Sequence, residues 1–136
     1  MALNMTVGIK VVMTNNIVSS DREHSIKSAI RKMVKNNVGS IVVTENGNPV
    51  GIVTERDVLK NIGYGRLNPE NPVGTIMSKP LITTDLNSTI AEAADLMKKH
   101  TIRRILVKEN EKFVGIITQR DLQLLMIDTF KSLLLT

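Results

Sequence analysis

The chain has 136 residues, 42% of them hydrophobic but with one Tyr, two Phe and no Trp, enough for one compact domain of about 100–150 residues, or two half-domains, over an aliphatic core. The absence of cysteine excludes disulfides, thiolate metal sites and cysteine nucleophiles, and the apolar runs fall well short of the ~18 residues of a membrane span. The net charge of +5 is dispersed rather than interleaved with aromatics, which gives little support to stacking on single-stranded nucleic acid. The N-terminus carries no cationic segment followed by an apolar one, and the chain is read as cytoplasmic.

Residues 1–10 are read as a lead, followed by a short extended segment at Ile17 and Val18. Ile26, Ala29, Ile30, Met33 and Val34 recur at helical spacing and predict a helix from about Ser25 to Asn36, with Ser25 as a weak cap. Two short β-branched strands follow, Ile41–Val43 and Val50–Val53, joined by a tight hairpin at Glu45, Asn46, Gly47 and Asn48. Thr54 then opens a helix expected to end near Asn61, and Gly65 and Pro69 break regular structure in a connector over residues 63–74.

The same order then begins again. Leu81 and Ile82 form the opening extended segment, and Ile90, Ala93, Ala94 and Met97 mark a helix whose Thr89 and Glu92 have the spacing of a capping box. Strands are expected at Ile105–Val107 and Val114–Ile117, and their turn, Glu109 to Lys112, keeps only the Asn and should be the less well specified hairpin. Thr118 opens a last helix with too many apolar residues for a single stripe: Leu122, Leu124, Leu125, Met126, Ile127, Phe130 and Leu133–Leu135. Such breadth marks a partner surface, so a homodimer through this helix is expected, with residues 1–12 contributing; packing onto the chain's own core is the alternative.

A constant offset of 64 residues relates the halves: Val50–Val58 reappears as Val114–Leu122, Met13 as Met77, Asp21 as Asp85, and Met33 as Met97. Repeats over residues 11–62 and 75–136 therefore build their cores and their sites in pairs.

The chemistry is expected in the repeated string of Gly, two aliphatics, Thr, any residue, Arg and Asp. At a strand-to-helix corner Thr54 is the N-cap, and the free N–H groups of the helix start attract a phosphate. Asp57, three residues on, can accept two hydrogen bonds from vicinal hydroxyls such as those of a ribose. Thr118 and Asp121 repeat the pair. A hydroxyl with an acid three residues later is also a plain capping arrangement, but capping requires neither Arg56 and Arg120 nor Gly51 and Gly115, which both copies retain. The glycines would let a flat ring or a neighbouring backbone come close.

The strings "VGIVTERDVL" and "VGIITQRDLQ", with "VMTNNIVSS" and "IMSKPLITT" opening the two copies, resemble a tandem pair of CBS domains, the family named after cystathionine β-synthase. The resemblance covers residues 11–130 and implies an α/β (α+β) fold of two βαββα repeats with pseudo-twofold symmetry. It also implies a cleft between repeats for adenosine-containing ligands: AMP, ADP, ATP, NAD or S-adenosylmethionine. In such a pair the Asp holds ribose hydroxyls and the Thr phosphate, roles that fall on Asp57 with Thr54 and on Asp121 with Thr118. Adenine contacts would come from Val18 and Ser19, and from Ile82 and Thr83. The pockets would be lined further by Val38, Gly39 and Ser40 in one copy and by Ile102, Arg103 and Arg104 in the other.

The pair is not symmetric there, since Gly39 and Ser40 align with Arg103 and Arg104. Guanidinium forks bind phosphate strongly, so the second pocket should prefer the more phosphorylated ligand. Catalysis is the weakest reading, because His24 and His100 lack partners at ligand or triad spacing. The leading expectation is a stand-alone regulatory module that binds an adenosine ligand and passes its occupancy to an unidentified protein partner. A nucleic-acid binder supported only by charge, and a structural dimer with empty clefts, are the alternatives. No metal or permanent cofactor is expected.

Overall fold

The computed structural model describes residues 7–79 and 81–135. The chain divides into two compact units, and they do not follow chain order: one is Ile17–Leu81, and the other joins the segment ending at Asn16 to the chain from Ile82 onward.

In the first unit β1 (Ser19–Asp21) leads to α1 (Ile26–Lys35), then to β2 (Ser40–Glu45), β3 (Asn48–Thr54) and α2 (Glu55–Gly63). The sheet order is β1-β2-β3, with β1 parallel and β3 antiparallel to β2. Ser25 caps α1 by accepting the Ser28 N–H at 3.0 Å. Ile26, Ala29 and Met33 point from one face of α1 into a core with Ile41, Val43 and Val53. β3 alternates, burying Gly51 and Val53, whereas the central strand β2 buries three residues in succession, Ile41, Val42 and Val43.

The other unit repeats this with β4 (Thr83–Asp85), α3 (Ile90–His100), β5 (Arg104–Glu109), β6 (Lys112–Thr118) and α4 (Gln119–Leu135). Its registers match those of the first unit at the 64-residue offset: Val43 opposes Gly51 and Val107 opposes Gly115, each followed by the same one-residue shift of the ladder. The expected strands are thus present and longer than their apolar cores. The opening strands begin two residues later than Ile17 and Leu81, because the ladder with β2 and β5 starts at Ser19 and Thr83.

Both hairpins have the same shape. Asn46 and Gly47 take φ of 52° and 79°, and Asn110 and Glu111 take 50° and 67°. The weaker turn chemistry of the second hairpin therefore appears as a glutamate held in the left-handed region, with the register kept by the buried face of the strands.

Each unit is completed by a lead segment that packs on its helix and sheet. In the first unit the Asn71 carbonyl accepts the Ile26 N–H at the start of α1, Val73 is fully buried, and Ser78 and Ile52 exchange backbone hydrogen bonds of 2.8 and 3.1 Å. In the other, the Val7 carbonyl accepts the Ile90 N–H, Ile9 is fully buried, and Thr14 pairs with Ile116 through two 2.9 Å bonds. Residues preceding the first opening strand thus complete the sheet of the second repeat, and residues preceding the second complete the sheet of the first. The boundaries at residues 10 and 74 lie inside these leads.

Helix α4 is 17 residues long, and no helix among the described residues is long and apolar enough to cross a membrane. Leu122 and Leu125 pack on the core of their own unit. Leu124, Met126, Ile127 and Phe130 are exposed, and Leu134 and Leu135 are 83% and 86% exposed. Of the N-terminal stretch expected to join this helix in a dimer, residues 1–6 lie outside the described residues.

Candidate functional site

Strand direction brings the predicted segments of each repeat to one end of its sheet. Because β1 and β2 run parallel and β3 antiparallel, the starts of the first two and the finish of the third coincide. Val18 and Ser19, Val38–Ser40 and Thr54–Asp57 therefore meet at one edge. Ser40 pairs with Thr54, and the Val18 carbonyl accepts the Val42 N–H at 2.9 Å. The Gly39 carbonyl accepts the N–H of Glu55, the first residue of α2, at 3.0 Å. In the second repeat Arg104 pairs with Thr118, the Ile82 carbonyl accepts from Leu106 at 3.2 Å, and the Arg103 carbonyl accepts the Gln119 N–H at 2.8 Å. Ile82, Thr83 and Ile102–Arg104 thus border the corner of Thr118 and Asp121.

At the first corner Thr54 has extended backbone and caps α2. Its hydroxyl accepts the Asp57 N–H at 3.3 Å, while its own N–H and hydroxyl donate to Asp57 Oδ2 at 2.9 and 3.1 Å. Ser78 donates its hydroxyl to the other oxygen, Oδ1, at 3.1 Å. At the second corner the Thr118 N–H donates to Asp121 Oδ2 at 2.8 Å, and the Asp121 N–H donates to the Thr118 hydroxyl at 3.1 Å. Among the described residues Asp121 Oδ1 has no hydrogen-bond partner. The capping arrangement is therefore present in both copies, and it takes only one oxygen of each carboxylate. Both aspartates are half-buried, so each keeps solvent on one side.

Arg56 and Arg120 are exposed in the first turns of α2 and α4. A cation at a helix start is opposed by the macrodipole, by about 0.3–1 kcal/mol. Each arginine therefore adds positive charge beside the free N–H groups of a helix start. Arg103 is exposed and Arg104 half-buried, whereas Gly39 and Ser40 put no charge at the same place in the first repeat.

Gly51 and Gly115 serve close approach by protein. A Cβ on Gly51 would lie 2.6 Å from Met77 Sδ, and one on Gly115 would lie 2.9 Å from both Met13 Sδ and the Thr14 carbonyl oxygen. Of the two uses open from sequence, a flat ring or a neighbouring backbone, the described residues fill the space with the lead segments. Ser78 was not singled out in the sequence reading. Its signal was the offset itself, which places it opposite Thr14, one residue after Met77 and Met13.

Comparison with known proteins identifies the repeated fold. The family model of the CBS domain matches twice, over residues 8–64 and 73–128. A protein of Methanocaldococcus jannaschii is 36% identical over 125 residues, which are 82% of this chain and 30% of that protein, so the chain spans under a third of that relative's length. A crystal structure of a conserved protein from Pyrococcus horikoshii is 36% identical with a TM-score of 0.81, covering 89% of this chain and 92% of that one. A CBS domain protein from Pyrobaculum aerophilum, solved in complex with AMP, is 28% identical with a TM-score of 0.76, covering 85% and 89%. Two matched repeats, over the residues that form the two corners, make this chain a member of the CBS-domain family.

Proposed function

We propose that the chain is a regulatory module that binds adenosine-containing ligands, such as AMP or ATP, at the corners Thr54–Asp57 and Thr118–Asp121. The observation that carries this reading is the divided use of the two carboxylates, with one oxygen fixing the helix start and the other taking no part in the cap. A rigid, half-buried carboxylate oxygen suits a pair of sugar hydroxyls, and the adjacent helix start and exposed arginine suit a phosphate. The AMP held by the Pyrobaculum aerophilum relative supports the same ligand class. Adenine would rest on Val18 and Ser19 at one corner and on Ile82 and Thr83 at the other, with Val38–Ser40 and Ile102–Arg104 beside them. The corner with Arg103 and Arg104 would favour the more phosphorylated ligand.

A ligand regulates only through different affinities for two states. The chain passes from one compact unit to the other after Asn16 and again after Leu81. Val18, Ser19, Ile82 and Thr83 lie within three residues of those crossings, so a base resting on them restrains the segments that join the units. The exposed apolar residues of α4 support a homodimer, or a protein partner that reads the change.

Thermal melting with AMP, ADP, ATP, NAD and S-adenosylmethionine tests the proposal. A true ligand at about 100 times its dissociation constant adds roughly 2.7 kcal/mol and raises the midpoint. No shift with any of the five would overturn it. Binding to nucleic acid with steep salt dependence, unaffected by loss of Asp57 and Asp121, would favour the charge-based alternative.

A further inference from the structure

The two corners share a backbone and differ in one hydroxyl. Ser78 and Thr14 occupy equivalent places, each held by a reciprocal pair of backbone bonds to the middle of the adjacent strand, Ile52 or Ile116. Yet Ser78 donates to Asp57 Oδ1 at 3.1 Å, whereas no described hydroxyl bonds Asp121 Oδ1. An ionised carboxylate offers about four acceptor positions. Asp57 has three engaged, by the Thr54 N–H, the Thr54 hydroxyl and the Ser78 hydroxyl; Asp121 has one, by the Thr118 N–H. A diol approaching Asp121 meets an open oxygen. A diol approaching Asp57 must first turn Ser78 aside.

We infer that Ser78 is a positioning residue that sets the ligand affinity of the Asp57 corner, acting as an internal competitor for the carboxylate oxygen a ligand hydroxyl would take. The inference rests on the reading that these aspartates bind a vicinal diol. It makes Asp121 the corner that fills first, independently of the phosphate preference set by Arg103 and Arg104. Because Ser78 is exposed, its displaced hydroxyl turns to water, and the competition costs a modest factor rather than blocking the site.

The test isolates each corner and uses AMP as the probe in isothermal titration. In an Asp121→Ala background, where the Asp57 corner alone remains, Ser78→Ala should tighten AMP binding about three- to tenfold. In an Asp57→Ala background the same substitution should leave affinity unchanged. Ser78 holds its strand through backbone bonds, which alanine retains, and a damaged fold would weaken binding rather than tighten it. Unchanged or weaker binding at the isolated Asp57 corner, in a protein that otherwise binds AMP through its aspartates, would overturn the role of Ser78 alone. Absence of AMP binding in the unsubstituted protein would overturn the proposed function and this inference together.

Discussion

Gly115→Ala should destabilise the protein and Gly51→Ala should not, although the two positions are equivalent in the repeat. Neither glycine has positive φ, so alanine suits both backbones and each substitution gains about 0.4–1 kcal/mol by restricting the unfolded chain. The steric terms differ. At Gly51 the three atoms nearest the new Cβ all belong to the Met77 side chain, Sδ at 2.6 Å, Cγ at 2.9 Å and Cβ at 3.1 Å, and a flexible thioether can swing aside for about 0.5–1.5 kcal/mol. At Gly115 it meets the Thr14 carbonyl oxygen at 2.9 Å, the same oxygen that accepts the Ile116 N–H. Relief there requires the lead strand to move, and such overpacking costs about 1–3 kcal/mol. Gly51→Ala should therefore be close to neutral, while Gly115→Ala should lose about 1–2 kcal/mol net. Urea denaturation at constant slope measures both. A second arm adds Met→Ala to each: removing Met77 should rescue any loss in Gly51→Ala, but removing Met13 should leave most of the loss in Gly115→Ala, because the carbonyl remains. Equal losses at the two glycines, or full rescue of Gly115→Ala by Met13→Ala, would refute the packing of the leads.

Two non-glycine residues occupy the left-handed region where a freer residue would serve: Thr101, at φ 52° after α3, and Glu111, at φ 67° in the second hairpin. At the equivalent place to Thr101 the first repeat has Asn37, also at φ 52°, so Thr101→Asn should stabilise by about 1 kcal/mol, and Glu111→Gly, which copies Gly47, by about 0.5–1 kcal/mol; denaturation midpoints that do not rise would contradict the strain. If α4 forms a homodimer, Phe130→Glu and Leu134→Glu should each convert the protein to a monomer in sedimentation while leaving its melting behaviour largely unchanged. A dimer that survives both substitutions would place the interface elsewhere.

The elements most legible in the sequence were those specified locally. Ile26, Ala29 and Met33 lie at helical spacing because they share one buried face, and Thr89 with Glu92 marks its helix start because the hydroxyl accepts the Glu92 N–H at 3.2 Å. Likewise Thr54 and Asp57, or Thr118 and Asp121, are three apart because a helix start closes on itself at that spacing. Hidden from a local reading was the destination of the leads. Met13 and Thr14 rest on Gly115 and Ile116, about a hundred residues away, and no periodicity records so distant a pairing. The methionines and glycines were visible as repeated letters; that each methionine fills the space above the other copy's glycine was not. Ser78 escaped for a related reason, since its bond to Asp57 depends on where one side chain turns and the aligned Thr14 makes no such bond to Asp121.

The claim that most needs direct measurement is that Asp57 and Asp121 grip the sugar hydroxyls of an adenosine ligand. Titration of AMP and 2′-deoxy-AMP into the unsubstituted protein and into the Asp57→Ala, Asp121→Ala double variant measures it. The unsubstituted protein should prefer AMP by about ten- to a hundredfold, the worth of a hydrogen bond to a charged group, and the double variant should bind both weakly with no preference. Equal affinity of the unsubstituted protein for the two nucleotides, or a preference that persists without either carboxylate, would contradict it.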